Sequence, residues 1–392
     1  MRIAMVHSSF AIRGGAEQYV RDLSTALRER GHEVGVVSLP SPHSLPDDAP
    51  VAPRLAARLG RPGTRAGKVL THLGDLFDPT GLNVGTLRAF APDVVHVHNW
   101  QGLGALPVAR LARTWPTCHT VHDYALCDPN NSLANHGRSA VADRLLGLRS
   151  AWLVRRMRGV SMLWPAARTR DIAQRHVPAA HRLGGIVVPL AVPAAGAPVS
   201  WPAGDPTVFL FLGALSEHKG IDLLLDAWRE VAGKANATLL IGGDGPRRPA
   251  VEEAARHLPG LHYLGFLDAA GKEAAMGRAG WLVFPSQWAE NFPISCVEAL
   301  RAGRPIVTSS VARPPMASET SVRVFDTAAD LAALLRHAAG MSRSEYAPIA
   351  ASAAADGREL NWDRHVDAVV DAYDAVRGRH EAPHRPAGAT RR

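Results

Sequence analysis

The sequence predicts an α/β protein made of two doubly wound domains that face each other. Two observations carry this. Short apolar runs bounded by glycines alternate with segments of helical periodicity through both halves of the chain, the pattern of parallel strands joined by crossover helices. Between the halves, Val188-Pro189-Leu190 through Gly204-Asp205-Pro206 is dense in proline, alanine and glycine, which marks a linker. The chain has 392 residues, enough for two cores of ordinary size. Its parts read as a first domain over 1–190, a linker over 191–206, a second domain over 207–360, a closing helix over 361–376 and a disordered basic tail over 377–392.

Residues 2–8 read as a buried strand. Arg13-Gly14-Gly15-Ala16-Glu17 follows, then a helix whose apolar face is Val20, Leu23 and Leu27. Gly31 stops that helix before the strand Glu33–Val37. Glycines in the first turn of such a unit let the backbone approach a ligand without a Cβ in the way, so Gly14 and Gly15 are candidate binding positions. No dinucleotide-binding G-x-G-x-x-G is present. Residues 40–90 read as loops and short helices.

Pro92 to Trp100 is a strand with a polar tip, and Thr117 to Tyr124 is the next strand and loop. Together they collect His96, His98, His119, His122 and Asp123. Imidazoles in this pattern can ligate a metal. They can equally be hydrogen-bonded core residues, because parallel strands are covered on both faces. The reading adopted is no metal, with His122 at the carboxyl end of its strand facing the ligand and Asp123 beside it.

Residues 138–182 hold ten arginines against Asp143 and Asp171, interspersed with Leu145, Leu146, Leu148, Trp152, Leu153 and Met157. Such a segment can lie on an anionic bilayer, although its apolar residues form no single clean stripe.

In the second half, Thr207–Leu212 is the first strand, followed by Gly213-Ala214-Leu215-Ser216-Glu217-His218-Lys219-Gly220 and a helix bearing Leu224, Trp228 and Val231. Thr238–Ile241 is the next strand. It ends in Gly242-Gly243-Asp244-Gly245-Pro246, a tight turn in which Gly243 and Asp244 are candidates to line a nucleotide pocket. After strand Leu261–Gly265 and a helix comes Trp281-Leu282-Val283-Phe284. It runs into Pro285-Ser286-Gln287-Trp288-Ala289-Glu290-Asn291-Phe292-Pro293-Ile294 and a helix carrying Val297, Glu298 and Leu300. Free backbone N–H groups at the helix start, near Phe292 to Ile294, suit a phosphate oxygen. Glu290 in the loop can grip sugar hydroxyls, and Glu298, two turns on, can hold a ribose diol.

The Gly14-Gly15 turn, the Gly213-to-Lys219-Gly220 pattern and the Glu290–Glu298 spacing, in that order along the chain, resemble the retaining glycosyltransferases of family 4. The resemblance covers most of the chain. It implies the GT-B fold: two Rossmann-like domains facing a cleft, the first on the acceptor side, the second binding the nucleotide sugar, and the closing helix crossing back to the first. It implies retaining, metal-independent sugar transfer from a nucleotide-sugar donor to a glycan or lipid-linked acceptor, with no cofactor. His122, Lys219 and Glu290 take the catalytic positions, and Gly14, Gly15, Gly213, Lys219, Gly243, Asp244, Glu290 to Ile294 and Glu298 the donor-binding ones. One departure is plain. The residue after Gly213 is often arginine in this family, and here it is Ala214.

Composition bounds what else the chain can be. A hydrophobic content of 46% with 20% charged residues is that of a globular protein. No apolar run reaches the length of a membrane span, and the N-terminus lacks the pattern of a signal peptide, so a cytoplasmic protein is expected. Three cysteines without a CxxC pair favour reduced thiols over a disulfide framework. A net charge of +8 permits contact with an anionic membrane, whereas no helix-turn-helix, zinc-finger or RNP pattern supports nucleic acid.

Overall fold

The computed structural model describes residues 1–10, 15–51, 55, 65–80, 82, 84–129, 133, 139–193 and 204–381. Arg13, Gly14, most of the linker and residues 382–392 of the tail lie outside these. The chain forms two compact units, the first reaching Val188 and resuming at Asp363, the second with its main body over Pro189–Trp362.

The first unit carries a seven-stranded sheet of β1 (Arg2–Ser9), β2 (Glu33–Leu39), β3 (Ala49–Pro50), β4 (Val94–Val97), β5 (Thr117–Thr120), β6 (Ser161–Trp164) and β7 (Gly185–Val187). Its order is β3-β2-β1-β4-β5-β6-β7, and every pairing is parallel. The helices between strands include α1 (Gly15–Glu29), α2 (Arg65–Phe77), α3 (Val84–Phe90), α4 (Ala105–Thr114), α5 (Ala140–Arg156) and α6 (Ala167–His176). On α1, Val20, Leu23 and Leu27 are buried as their spacing requires, and Gly31 takes the left-handed φ of 80° that ends the helix.

The second unit repeats the plan with six parallel strands: β8 (Asp205–Leu212), β9 (Thr238–Gly242), β10 (Leu261–Gly265), β11 (Ala279–Phe284), β12 (Ile306–Ser309) and β13 (Val322–Phe325). The order is β10-β9-β8-β11-β12-β13. Helices α7 (Ile221–Val231), α8 (Arg248–His257), α9 (Ala269–Arg278), α10 (Ile294–Arg301), α11 (Ala328–Ala339) and α12 (Arg343–Glu359) cover it. Strand β11 is buried throughout, as expected where helices shield both faces. In each sheet the strand order reverses once, between β1 and β4 and between β8 and β11, and such switch points open a crevice at the carboxyl ends of the strands.

The last helix, α13 (Trp362–Glu381), returns to the first unit. Val366, Val369, Tyr373 and Val376 recur at helical spacing and are buried. Two polar bonds pin the helix: the Tyr373 hydroxyl lies 2.7 Å from His96 Nδ1, and His365 Nε2 lies 2.8 Å from the Tyr19 hydroxyl. The helix runs past 376, correcting the disordered tail expected from 377. Arg377 pairs with Asp374, and Arg379 donates to the Ser161 hydroxyl at 3.1 Å, so the last turn has partners. No helix among the described residues is long and apolar enough to cross a membrane.

The His96–Tyr373 bond is wholly buried, so its loss leaves an imidazole nitrogen without a partner and without water. Tyr373→Phe is expected to lower the unfolding free energy by about 1–3 kcal/mol in urea titration. An unchanged midpoint would show that the bond contributes nothing.

Candidate functional site

In the second unit, the switch point gathers the loops after β8, β9 and β11. They are held together by backbone. Gly220 has a φ of 74°, and a Cβ there would stand 1.9 Å from the Pro285 carbonyl oxygen. Only glycine can close this approach, which seats the Lys219 loop on the start of the Glu290 loop. Gly243, with a φ of 147°, comes equally close to the Gly213 carbonyl oxygen. Leu215 N–H then donates to the Asp244 carbonyl at 2.9 Å, so the two glycine turns form one surface.

Across the first approach, Lys219 Nζ lies 2.6 Å from Glu290 Oε1. The Ser286 hydroxyl donates to the same oxygen at 2.7 Å, and the Trp288 indole N–H at 3.0 Å. All three donors converge on Oε1. None among the described residues reaches Oε2. The sequence reading gave Lys219 and Glu290 separate roles; the fold makes them an ion pair, with side chains 24% and 14% exposed. Ser286 and Trp288 were missed, because a serine and a tryptophan in a loop carry no spacing signal. The His218 ring packs against Trp288 at a centroid distance of 4.0 Å. Burial first, then the Lys219 charge, holds its imidazole below the usual range.

Glu298 lies on α10 near Lys272, 3.9 Å from its ammonium. Burial raises its carboxyl above the usual range, with Lys272 and Arg301 opposing. Asn291 and Phe292 are buried. Pro293 is the N-cap of α10 and supplies no side-chain oxygen to its first turn. Gly213 and Asp244 are exposed, and Asp244 Oδ1 accepts from the Gly245 N–H at 2.8 Å.

In the first unit, Gly15 is exposed at the start of α1. His122 stands just beyond β5, half-buried, its Nε2 3.2 Å from His98 Nδ1. His98 Nε2 in turn lies 3.3 Å from the Met5 sulfur. A thioether can only accept, so a neutral His98 carries its proton on Nε2 and accepts at Nδ1. His122 must then donate from Nε2, which leaves its Nδ1 an acceptor. Tyr19 meets the His122 ring edge-on at 5.2 Å. Asp123 Oδ1 accepts from the Ala125 N–H at 2.9 Å, closing the turn after His122. His7, near the end of β1, is fully buried, with Nε2 3.6 Å from Glu17 in the first turn of α1. His7, His98 and Tyr19 are further residues that sequence reading did not assign to the site.

Two more nitrogens of the cluster are engaged: His96 Nε2 with the Thr120 hydroxyl at 2.7 Å, and His119 Nδ1 with the Val97 carbonyl at 2.9 Å. Among the described residues, no three histidine, cysteine or acidic side chains are arranged to hold a metal. Burial pushes His96 down to about 3 and His119 down to about 4. It also holds His98 and His122 well below the usual range, with neighbouring imidazoles adding to the effect.

Comparison with known proteins bears on both units. The model of the family described as Glycosyltransferase Family 4 matches residues 13–182, and that of Glycosyl transferases group 1 matches 206–339. A phosphatidyl-myo-inositol mannosyltransferase of Mycobacterium tuberculosis is 30% identical over 338 residues, covering 79% of this chain and 78% of its own. A glycogen synthase of the same organism is 29% identical over 337 residues, with the same coverage. Among solved structures, sucrose-phosphate synthase from Thermosynechococcus elongatus superposes with a TM-score of 0.71 at 16% identity, over 96% of this chain and 99% of the other. Anabaena HepE in complex with UDP gives 0.64 at 16% identity, over 96% and 100%. These likenesses identify the fold as GT-B.

Two outcomes follow from the geometry. Gly220→Ala should cost about 2 kcal/mol or more, because neither its φ nor the Pro285 carbonyl admits a Cβ. Thermal unfolding at wild-type temperature would contradict this. The buried histidines set an acid limit. Their folded pKa values lie below the unfolded value, so their neutral forms stabilise the fold above about pH 6.5, and that contribution is lost as pH falls toward the folded values. Urea titrations should therefore show stability falling steadily from pH 7 to pH 4, and a flat profile would refute the histidine reading.

Proposed function

The chain belongs to glycosyltransferase family 4, and from that premise we propose that it transfers a sugar, with retention and without a metal, from a nucleotide-sugar donor to a glycan or lipid-linked acceptor. The observation that carries this reading is the convergence of Lys219, Ser286 and Trp288 on one oxygen of Glu290. Three donors fix the carboxylate while Oε2 stays open to accept from sugar hydroxyls. On donor binding, Lys219 turns from Glu290 to the diphosphate, and Ser286 and Trp288 keep the carboxylate in place.

The chemical problem is charge on the departing nucleoside diphosphate. Lys219 and the first-turn N–H groups of α10 supply positive potential where that charge grows. The bond from the anomeric carbon to the phosphate oxygen breaks as the bond to the acceptor oxygen forms on the same face, and the acceptor's proton passes to the leaving phosphate. No protein base is needed for that step. Glu298 accepts from the ribose hydroxyls, and the Gly213–Gly243 surface borders the base. In the first unit, His122 Nδ1 accepts a substrate hydroxyl, its tautomer set by His98 and Met5. A glycogen synthase and a phosphatidyl-myo-inositol mannosyltransferase stand among the relatives, which is why both a glycan and a lipid-linked acceptor are kept.

Nucleotide release from UDP-, GDP-, ADP- and dTDP-sugars in the presence of EDTA tests this directly. One donor should be turned over. Lys219→Ala and Glu290→Gln should each reduce the rate about 100-fold or more, as for other groups that stabilise developing charge. Turnover abolished by EDTA and restored by a divalent ion would overturn the metal-independent reading. Turnover retained in both variants would overturn the assignment of the site.

A further inference from the structure

Helix α5 has two apolar faces. Ser150, Leu153, Val154 and Met157 are buried against the first unit. Val141, Leu145, Leu148 and Trp152 recur every three or four residues on the opposite side. Leu145 and Leu148 are 61% and 63% exposed. This is why the sequence shows no single stripe: two stripes are superimposed on one helix. Helix α2 does the same. Its Val69, Leu73 and Phe77, each four residues apart, are exposed, whereas Asp75 on its inner side is buried and accepts from the Gly102 N–H at 2.8 Å. The Phe77 ring meets the Trp152 ring edge-on at 5.1 Å, joining the two outward stripes into one surface.

Arginines rim that surface. Arg144, Arg155, Arg156 and Arg158 are exposed, and among the described residues none has a carboxylate partner. The Arg156 guanidinium lies 5.2 Å from the Trp152 ring centroid, its stem along apolar surface and its charge at the edge. We propose that the outward faces of α2 and α5 dock on an anionic lipid bilayer, with Leu145, Leu148, Leu73 and Phe77 below the headgroups and the arginines at the phosphate level. Apolar anchors, an interfacial tryptophan and flanking arginines are the three components that such binding requires. Charge argues against a second copy of the chain as the occupant, because a self-complementary contact would set one arginine rim against another.

Co-sedimentation of the full chain with vesicles tests the proposal without any donor sugar, so its outcome is independent of the catalytic reading. Wild type should pellet with vesicles containing phosphatidylglycerol and stay in solution with pure phosphatidylcholine. Leu145→Gln with Leu148→Gln should weaken binding about tenfold or more, since two leucines no longer leave water. Arg144→Gln with Arg155→Gln should weaken binding and flatten its salt dependence. All four residues face outward, so melting temperatures should not change. Pelleting of the leucine variant like wild type would overturn the proposal, as would wild type left in solution with anionic vesicles. Gel filtration showing a dimer that the leucine variant dissolves, without vesicle binding, would assign the face to self-association instead.

Discussion

The second unit depends on a carboxylate held half-buried by three donors to one of its oxygens. An ionised glutamate at 14% exposure is costly unless its lone pairs are met, and here they are met on one side only. That asymmetry is produced by backbone. The Gly220–Pro285 approach brings the ammonium from the loop after β8 within reach of the loop after β11, and these are the two strands between which the sheet order reverses. Without the switch point the two loops would not be neighbours. Topology delivers the pair, and glycine lets it close.

The first unit meets a different constraint. It packs His96, His98, His119 and His122 around the carboxyl ends of β4 and β5, where burial disfavours a protonated imidazole and, for His96, His98 and His122, neighbouring imidazoles add repulsion. The solution is a chain of neutral rings satisfied by hydroxyls, a carbonyl and a thioether. Two members of that network, His365 and Tyr373, come from α13 at the far end of the chain. The closing helix is therefore part of the polar core behind His122 as well as an apolar cover. Because every ring is neutral, the tautomer at His122 is fixed by donors and acceptors, and its free nitrogen is available to a hydroxyl.

Much of this was legible in the sequence. Parallel strands that are buried on both faces read as apolar runs, and Trp281-Leu282-Val283-Phe284 announced β11 and the loop that follows. The Glu290 to Glu298 spacing placed one carboxylate in a loop and the other on a helix, as found. What periodicity cannot show is pairing between loops: nothing in the separate strings around Lys219 and Ser286 says that they share an oxygen. The two-faced helix α5 was hidden for a related reason. Apolar residues on opposite sides cancel in a search for one stripe, and only burial separates Leu153 from Leu148. The end of α13 was missed because arginines and glycine near a terminus look like a tail, whereas Arg377 and Arg379 have partners in the fold.

The substitution of Ala214 for the arginine common after the first glycine changes how charge is shared. Arg247 and Arg248 on the adjoining turn pair with Asp222 and Glu252, at 2.9 and 2.6 Å, as Lys219 pairs with Glu290, and in the proposed reading Lys219 is the cation that the β8 loop itself offers a ligand. One ammonium cannot neutralise a diphosphate. In the proposed reading the remainder falls on the start of α10, and the local sequence suits that burden. A serine, threonine or aspartate at the N-cap would occupy a first-turn N–H with its own oxygen, as Thr327 does on α11. Pro293 has no such oxygen; its carbonyl takes the Cys296 N–H at 3.1 Å, and the Ile294 and Ser295 N–H groups are the first-turn donors that remain for an anion. A missing cation and an N-cap without a side-chain acceptor thus act together: the first raises the demand for backbone dipoles, and the second leaves them available.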